Sequence, residues 1–206
     1  MRKFIGKTIK ATIINLIVAL LIVICIVLAV KFFFGARIDD VITLASMVSV
    51  NGEKTEIVQE QVLDDNGTLK NYPEYGTKYA TIEIPKIDKN LPVYYGDSLD
   101  VLKNGIGHYP GSYFPGEGSS IVYMGHNSKK YFRRLGELQV GDEIIVTTSY
   151  GKYTYKVYDM QTIKETEGDK LKIQQDKEIL MIYTCYPFIN IGHATQRYVV
   201  FAELEK

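Results

Sequence analysis

The sequence predicts a mainly β fold: a closed or nearly closed barrel of about eight strands with one or two short helices, plus an N-terminal transmembrane helix. Three observations lead there. From Tyr79 onward, short apolar or alternating runs recur, with turn residues between them at about the 8–12-residue spacing of small barrels and sandwiches. Only one or two stretches in that region have helical spacing. Before it, "ATIINLIVALLIVICIVLAV", Ala11 to Val30, runs for twenty residues without a charge.

That apolar run sets the compartment. At about 1.5 Å per residue, a twenty-residue helix matches the roughly 30 Å hydrocarbon core of a bilayer. Signal-peptide cores are shorter, about 7–15 residues, and end at small residues. Here bulky Phe32, Phe33 and Phe34 follow instead. The expectation is a cytoplasmic tail over 1–10, an uncleaved anchor over 11–34, an extracytoplasmic spacer over 35–77 and a catalytic domain over 78–206. Arg2, Lys3, Lys7 and Lys10 precede the span with no acid among them, and Asp39 and Asp40 follow it. The positive-inside rule then keeps the N-terminus in the cytoplasm and places the domain outside, as a single-pass protein of the cell membrane.

The formal charge of zero hides an asymmetry. Six of the 24 Lys and Arg lie before Asp39, and every one of the 24 acids lies at or beyond it, so residues 38–206 hold 18 cations against 24 acids, a net of −6. Polyanion binding depends on clustered Lys and Arg, so nucleic acid is excluded as a partner class.

In the spacer, "RIDDVITLASMVSV" and "KTEIVQEQVLDDNG" read as short amphipathic helices, the second stopping at Asn66-Gly67. "YATIEIPKI" alternates and then meets Pro85; "LPVYYG" is a short apolar strand with its proline near the start. "SLDVLKNG" reads as a helix capped by Ser98 and ended by Gly105. His108, in "GHYPGS", falls in a turn and reads as fixing local backbone. "SSIVYMGHN" is a strand running into a loop at Gly125. "DEIIVTTSYGKYTYKVYDMQTI" is a hairpin turning near Ser149 to Gly151. "KEILMIYTC" and "TQRYVVFAEL" are the last two strands, and "KETEGDKLKIQQDKE" before them reads as a solvated charge run bordering the cysteine strand.

There are two cysteines. Cys25 lies in the apolar run and reads as a small hydrophobic residue. Cys185 would be alone in an exported domain, which points to intermolecular pairing or a reactive thiol, against the alternative of an inert buried one. A working thiolate needs a base or a positive environment. His126 ends an apolar strand, His193 lies in the loop "FINIGHAT", and Arg197 interrupts an apolar strand, where it needs a partner or the surface. If the last two strands pair antiparallel, Arg197 sits beside Cys185, where it can lower the thiol pKa or stabilise an oxyanion. Only His193 and Asn190 follow Cys185 as partners of a papain-like order, which fits poorly. One cysteine with scattered histidines lacks zinc-ligand spacing.

"GHN" after a strand, "YTCYPF" and "QRYVVFAEL" resemble the His, Cys and Arg motifs of the sortases, transpeptidases of Gram-positive cell surfaces. With "IEIPKIDKNLPVYYG" and "GHYPGS" the similarity covers about residues 79–204. "TCYPF" and the lack of large insertions resemble class D most. The family's usual Thr-Leu-x-Thr-Cys is Met181, Ile182, Tyr183, Thr184 and Cys185 here. The Asp-Pro-aromatic lid of pilin-polymerising sortases is absent upstream and no second span follows, which argues against a pilus polymerase. The resemblance implies that Cys185 attacks the Thr carbonyl of an LPxTG-like sorting signal and forms a thioester, which a peptidoglycan-precursor amine resolves. It implies His126 as acid and base, Arg197 as oxyanion or substrate holder, and Thr184, Tyr186 and Asn127 as substrate contacts, Thr184 supporting substrate or Arg197 through its hydroxyl. No cofactor and no metal are expected; Glu165, Glu167 and Asp169 could bind an ion such as calcium, but they read better as a solvated charge run. A thiol hydrolase and a non-catalytic surface binding module stay open as alternatives.

Overall fold

The computed structural model describes residues 15–26, 28–29, 61–189 and 193–205. The chain divides into two compact units, Met1–Val41 and Ile42–Lys206. In the first, residues 15–26 and 28–29 are helical, and their large apolar side chains, from Leu16 to Leu28, are exposed. Among the described residues no helix is long and apolar enough to cross a membrane; the expected span over 11–34 lies partly outside them. The helix expected over "RIDDVITLASMVSV" lies wholly outside them.

The second unit is a barrel. Its elements are β1 (Val62–Leu63), β2 (Leu69–Lys70), β3 (Lys78–Ile84), β4 (Lys89–Tyr95), β5 (Ile106–His108), β6 (Ser120–Met124), β7 (Glu143–Thr148), β8 (Lys152–Lys164), β9 (Ile179–Tyr186) and β10 (Gln196–Leu204). Eight of them close in the order β10-β8-β7-β3-β4-β5-β6-β9, with β10 returning to β9. The β4–β5 and β6–β9 pairs are parallel and the rest antiparallel. A short helix, Leu99–Asn104, makes the β4–β5 crossover; Ser98 Oγ accepts from the Val101 amide at 3.4 Å and Gly105 follows its end, as the sequence predicts.

Side chains alternate across the sheet. Ile121, Tyr123, Leu180, Ile182, Val200 and Ala202 point into the barrel core. Their neighbours Val122, Met181, Val199 and Phe201 join Ile163 and Ile179 in a second cluster on the outer face, covered by Leu171 and Ile173 from the β8–β9 connection. The charge run is therefore more than a solvated loop: it carries two apolar residues that roof the outer face.

Two local expectations are corrected. The helix expected over "KTEIVQEQVLDDNG" is, in its described part, the β1–β2 hairpin. Asp64 Oδ1 accepts from the amides of Asn66 and Thr68 at 2.9 Å each, and Gly67 takes φ +75°. An Asx turn into Asn-Gly competes successfully with a marginal helix. The turn expected around His108 contains β5, whose partners β4 and β6 lie on either side of it. Leu69, at the end of the expected spacer, is buried in the barrel core.

His108 itself is fully buried. The Ser112 hydroxyl donates to the Tyr109 carbonyl at 2.9 Å, so it must accept from His108 Nε2–H at 2.9 Å, as it does from the Val122 amide. Nδ1 is then the acceptor for the Tyr79 hydroxyl at 2.8 Å, whose oxygen accepts from Tyr123 at 2.7 Å. A neutral imidazole satisfies the donors and acceptors of this chain in that arrangement. Burial pulls its pKa from 6.5 down to about 3.

Candidate active site

Three strand ends build the site. β6 and β9 run parallel in the register Met124↔Tyr183. The Gly125 amide continues the ladder by donating to the Tyr183 carbonyl at 3.2 Å. One step further, His126 comes level with Cys185. On the other side of β9, Arg197 of β10 is the direct partner of Cys185. Cross-strand partners hold their Cβ atoms about 4.5–5.5 Å apart. By the alternation of the sheet, Cys185 and Arg197 share the outer face with Met181, Tyr183 and Val199. The sequence places His126, Cys185 and Arg197 far apart, and the barrel brings them to one end of three adjacent strands.

Their environments differ. Cys185 is free and partly exposed at the end of β9. His126 is half-buried, and burial alone lowers its pKa below 6.5, so it is mainly neutral at pH 7. Its ring lies 6.2 Å from that of Tyr131, and its carbonyl accepts from the amides of Ser128 and Phe132 at 2.9 and 3.1 Å. A tight turn on the histidine's own backbone thus holds the loop. Arg197 Nη1 donates to the carbonyls of Ala194 and Gln196 at 2.7 and 2.8 Å, and Nη2 to Glu165 Oε2 at 3.1 Å.

The other expected residues surround this trio in different ways. Thr184 is 1% exposed, and its hydroxyl donates to the Gly125 carbonyl at 2.8 Å, not to Arg197. It faces the inner side of the sheet and ties the His126 loop to the cysteine strand. Asn127 Nδ2 donates to the Pro187 carbonyl at 3.1 Å, joining the loops that follow His126 and Cys185. Its Oδ1 is buried without a hydrogen-bond partner. Tyr186, on the inner side, packs with Phe188 and Tyr198 at centroid separations of 5.3 and 6.0 Å. Phe188 lies so close to Gly136 that a Cβ there would meet its ring at 2.4 Å. Glu165 and His193 are the site residues the sequence did not assign. Glu165 Oε1 accepts from His193 Nε2 at 2.8 Å while Oε2 holds Arg197. The available signal was an acid two residues beyond the end of an alternating strand, next to an unpaired arginine. Among the described residues, no group of three His, Cys, Asp or Glu side chains is placed to hold a metal ion.

A partly exposed thiol, level with a neutral imidazole and beside a guanidinium, is an arrangement for acyl transfer. The sortase domain family matches residues 82–205. The chain belongs to the sortase family. Sortase D of Bacillus subtilis (strain 168) is 39% identical over 131 residues, which cover 64% of this chain and 66% of that protein, just under two thirds of its length. Among solved structures, a Clostridium perfringens sortase D5 transpeptidase has 31% identity and a TM-score of 0.59, covering 66% of this chain and 83% of that one. Sortase C from C. perfringens SM101 has 34% identity and a TM-score of 0.58, covering 65% and 72%. This sortase is thus class D-like, and its eight-stranded barrel is that of the expected fold.

Proposed function

We propose that this sortase is a membrane-anchored cysteine transpeptidase that cleaves an LPxTG-like sorting signal after its Thr and joins the protein to a cell-wall amine. The observation that carries the reading is the convergence of His126, Cys185 and Arg197 at one end of β6, β9 and β10. His126 takes the Cys185 proton as the sulfur adds to the Thr carbonyl, Arg197 supports the oxyanion or the substrate backbone, and the imidazolium gives that proton to the leaving amine as the C–N bond breaks. The imidazole then takes a proton from the incoming amine as it displaces the sulfur, and a new amide forms. The exposed apolar side chains between Leu16 and Ile26, with Leu28, support the anchor, which raises the local concentration of exported substrate and lipid-linked acceptor.

The test uses the full-length chain in detergent with a panel of LPxTG-type peptides, with and without a glycine or diaminopimelate-like amine. Mass spectrometry should detect an amide product with the added amine. Hydrolysis alone would make it a thiol hydrolase. No cleavage, with Cys185 resistant to iodoacetamide, would make it a binding module.

Thr184→Val provides a further check. The substitution keeps the side-chain shape but removes the donor to Gly125, so unfolding free energy falls by about 1 kcal/mol in denaturant titrations. Because the lost bond ties His126 to Cys185, kcat should fall by about tenfold, less than the hundredfold of a full 1 Å misplacement. An unchanged kcat would detach Thr184 from site geometry.

A further inference from the structure

We propose that Glu165 is a positioning residue for Arg197: anchored by His193, its carboxylate fixes the guanidinium beside Cys185 so that the remaining guanidinium hydrogens are offered to the substrate acyl group. The proposal rests on the reading of Arg197 given above.

The backbone sets up the contact. Arg197 pairs with Ile163 on β8 as well as with Cys185 on β9. The Glu165 amide donates to the Thr195 carbonyl at 2.9 Å, carrying the β8–β10 ladder one step past Lys164↔Gln196. Two residues beyond Ile163, Glu165 falls on the face that Arg197 and Cys185 share. Both carboxylate oxygens are engaged, Oε1 by His193 at 2.8 Å and Oε2 by Arg197 at 3.1 Å.

Donor accounting shows what the clasp leaves over. A guanidinium has five N–H donors. The two on Nη1 go to the Ala194 and Gln196 carbonyls, and one on Nη2 goes to Glu165. The Nε hydrogen and the second Nη2 hydrogen remain, held in one plane by three fixed partners. An arginine side chain is long and rich in rotamers, so an untethered Arg197 would occupy many poses beside the thiol. The two ends of the Arg197–Glu165 pair are 23% and 29% exposed. Ion pairs this open to solvent contribute little to folding, so the effect of this one belongs to rate rather than stability. His193 and, to a lesser extent, Arg197 hold the Glu165 carboxyl below its ordinary pKa, which keeps the clasp charged at neutral pH.

The test compares Glu165→Ala, Glu165→Gln, Arg197→Ala and the Glu165→Ala/Arg197→Ala double variant in the full-length chain. Steady-state and single-turnover kinetics use a peptide from the LPxTG-type panel that the parent cleaves. Glu165→Ala should lower kcat about tenfold with KM little changed, a fraction of the roughly 10²–10³ that losing a stabilising donor costs. Glu165→Gln keeps an oxygen acceptor for Nη2 and should recover most of the rate. The double variant should be no slower than Arg197→Ala alone. Melting temperatures within a few degrees of the parent exclude unfolding as the cause. A Glu165→Ala enzyme as fast as the parent overturns the proposal. So does one that is faster, which would make the contact an inhibitory latch, and so does a loss that adds in full to that of Arg197→Ala. An Arg197→Ala enzyme at full rate refutes instead the underlying reading of Arg197, and a parent that cleaves no peptide refutes the function itself.

Discussion

Cys185→Ala should abolish both cleavage and amide formation while leaving the barrel intact. The thiol is partly exposed at the end of β9, so its removal opens no enclosed cavity, and alanine keeps every ladder bond of the Arg197 pair. Unfolding free energy should change by less than about 1 kcal/mol, in the range of substitutions away from the core. Activity should fall by at least about 10⁴-fold, as loss of a covalent nucleophile does elsewhere. Intact-mass spectrometry should show an acyl adduct on the parent under amine-free conditions and none on the variant. His126→Ala should lose less, about 10²–10⁴, the usual share of general acid–base catalysis. A Cys185→Ala protein with an adduct, or with more than about a thousandth of parental turnover, would place the nucleophile elsewhere.

His108→Phe should weaken the acid sensitivity of the fold. Phenylalanine fills the ring's volume but accepts nothing, so one hydroxyl hydrogen of the Tyr79–Tyr123 pair is left without a partner, whichever tyrosine donates. At pH 7 that costs about 1–3 kcal/mol. The parent has a different liability. Its imidazole titrates near 6.5 when unfolded and at about 3 when folded. Between those values the unfolded chain binds the extra proton, so stability is complete above pH 6.5 and declines as pH falls toward 3. The slope is at most about 1.4 kcal/mol per pH unit. The variant lacks this slope. With a deficit of about 2 kcal/mol at neutral pH, its stability curve should cross the parent's near pH 5. Glu165, Glu167 and Glu137, whose carboxyls are held low by their partners, contribute losses in the same direction, as does half-buried His126, but both proteins share them. Denaturant titrations at half-unit pH steps would decide it; parallel curves would mean that His108 is not neutral in the fold.

Much of the barrel was legible because its longer strands obey a two-residue period. β3, β7, β8, β9 and β10 all announce themselves by alternation or by apolar runs bounded by turns. β5 did not, because three residues between Gly105 and Tyr109 carry no period, and both partners are set by tertiary pairing. In the site, the Cys185–Arg197 neighbourhood could be derived, since two strands joined by a loop pair antiparallel by default and the register follows. The His126–Cys185 neighbourhood could not, because a parallel contact between strands some sixty residues apart leaves no local trace. The hydroxyl of Thr184, expected to serve substrate or Arg197, turns inward onto Gly125. Glu165 is hidden for the opposite reason: five acids and four lysines crowd 164–178, and composition alone does not distinguish the one acid that meets an arginine.

The insertion of β10 between β8 and β9 has a consequence for biogenesis. Synthesised from its N-terminus, the chain delivers β10 after every other barrel strand, and until then β8 and β9 have no shared neighbour. Cys185 has by then emerged without Arg197, and its strand can meet His126 only through the slow, long-range β6–β9 pairing. A chain still lacking its final strand therefore displays a thiol with neither of its two strand-end neighbours held in place.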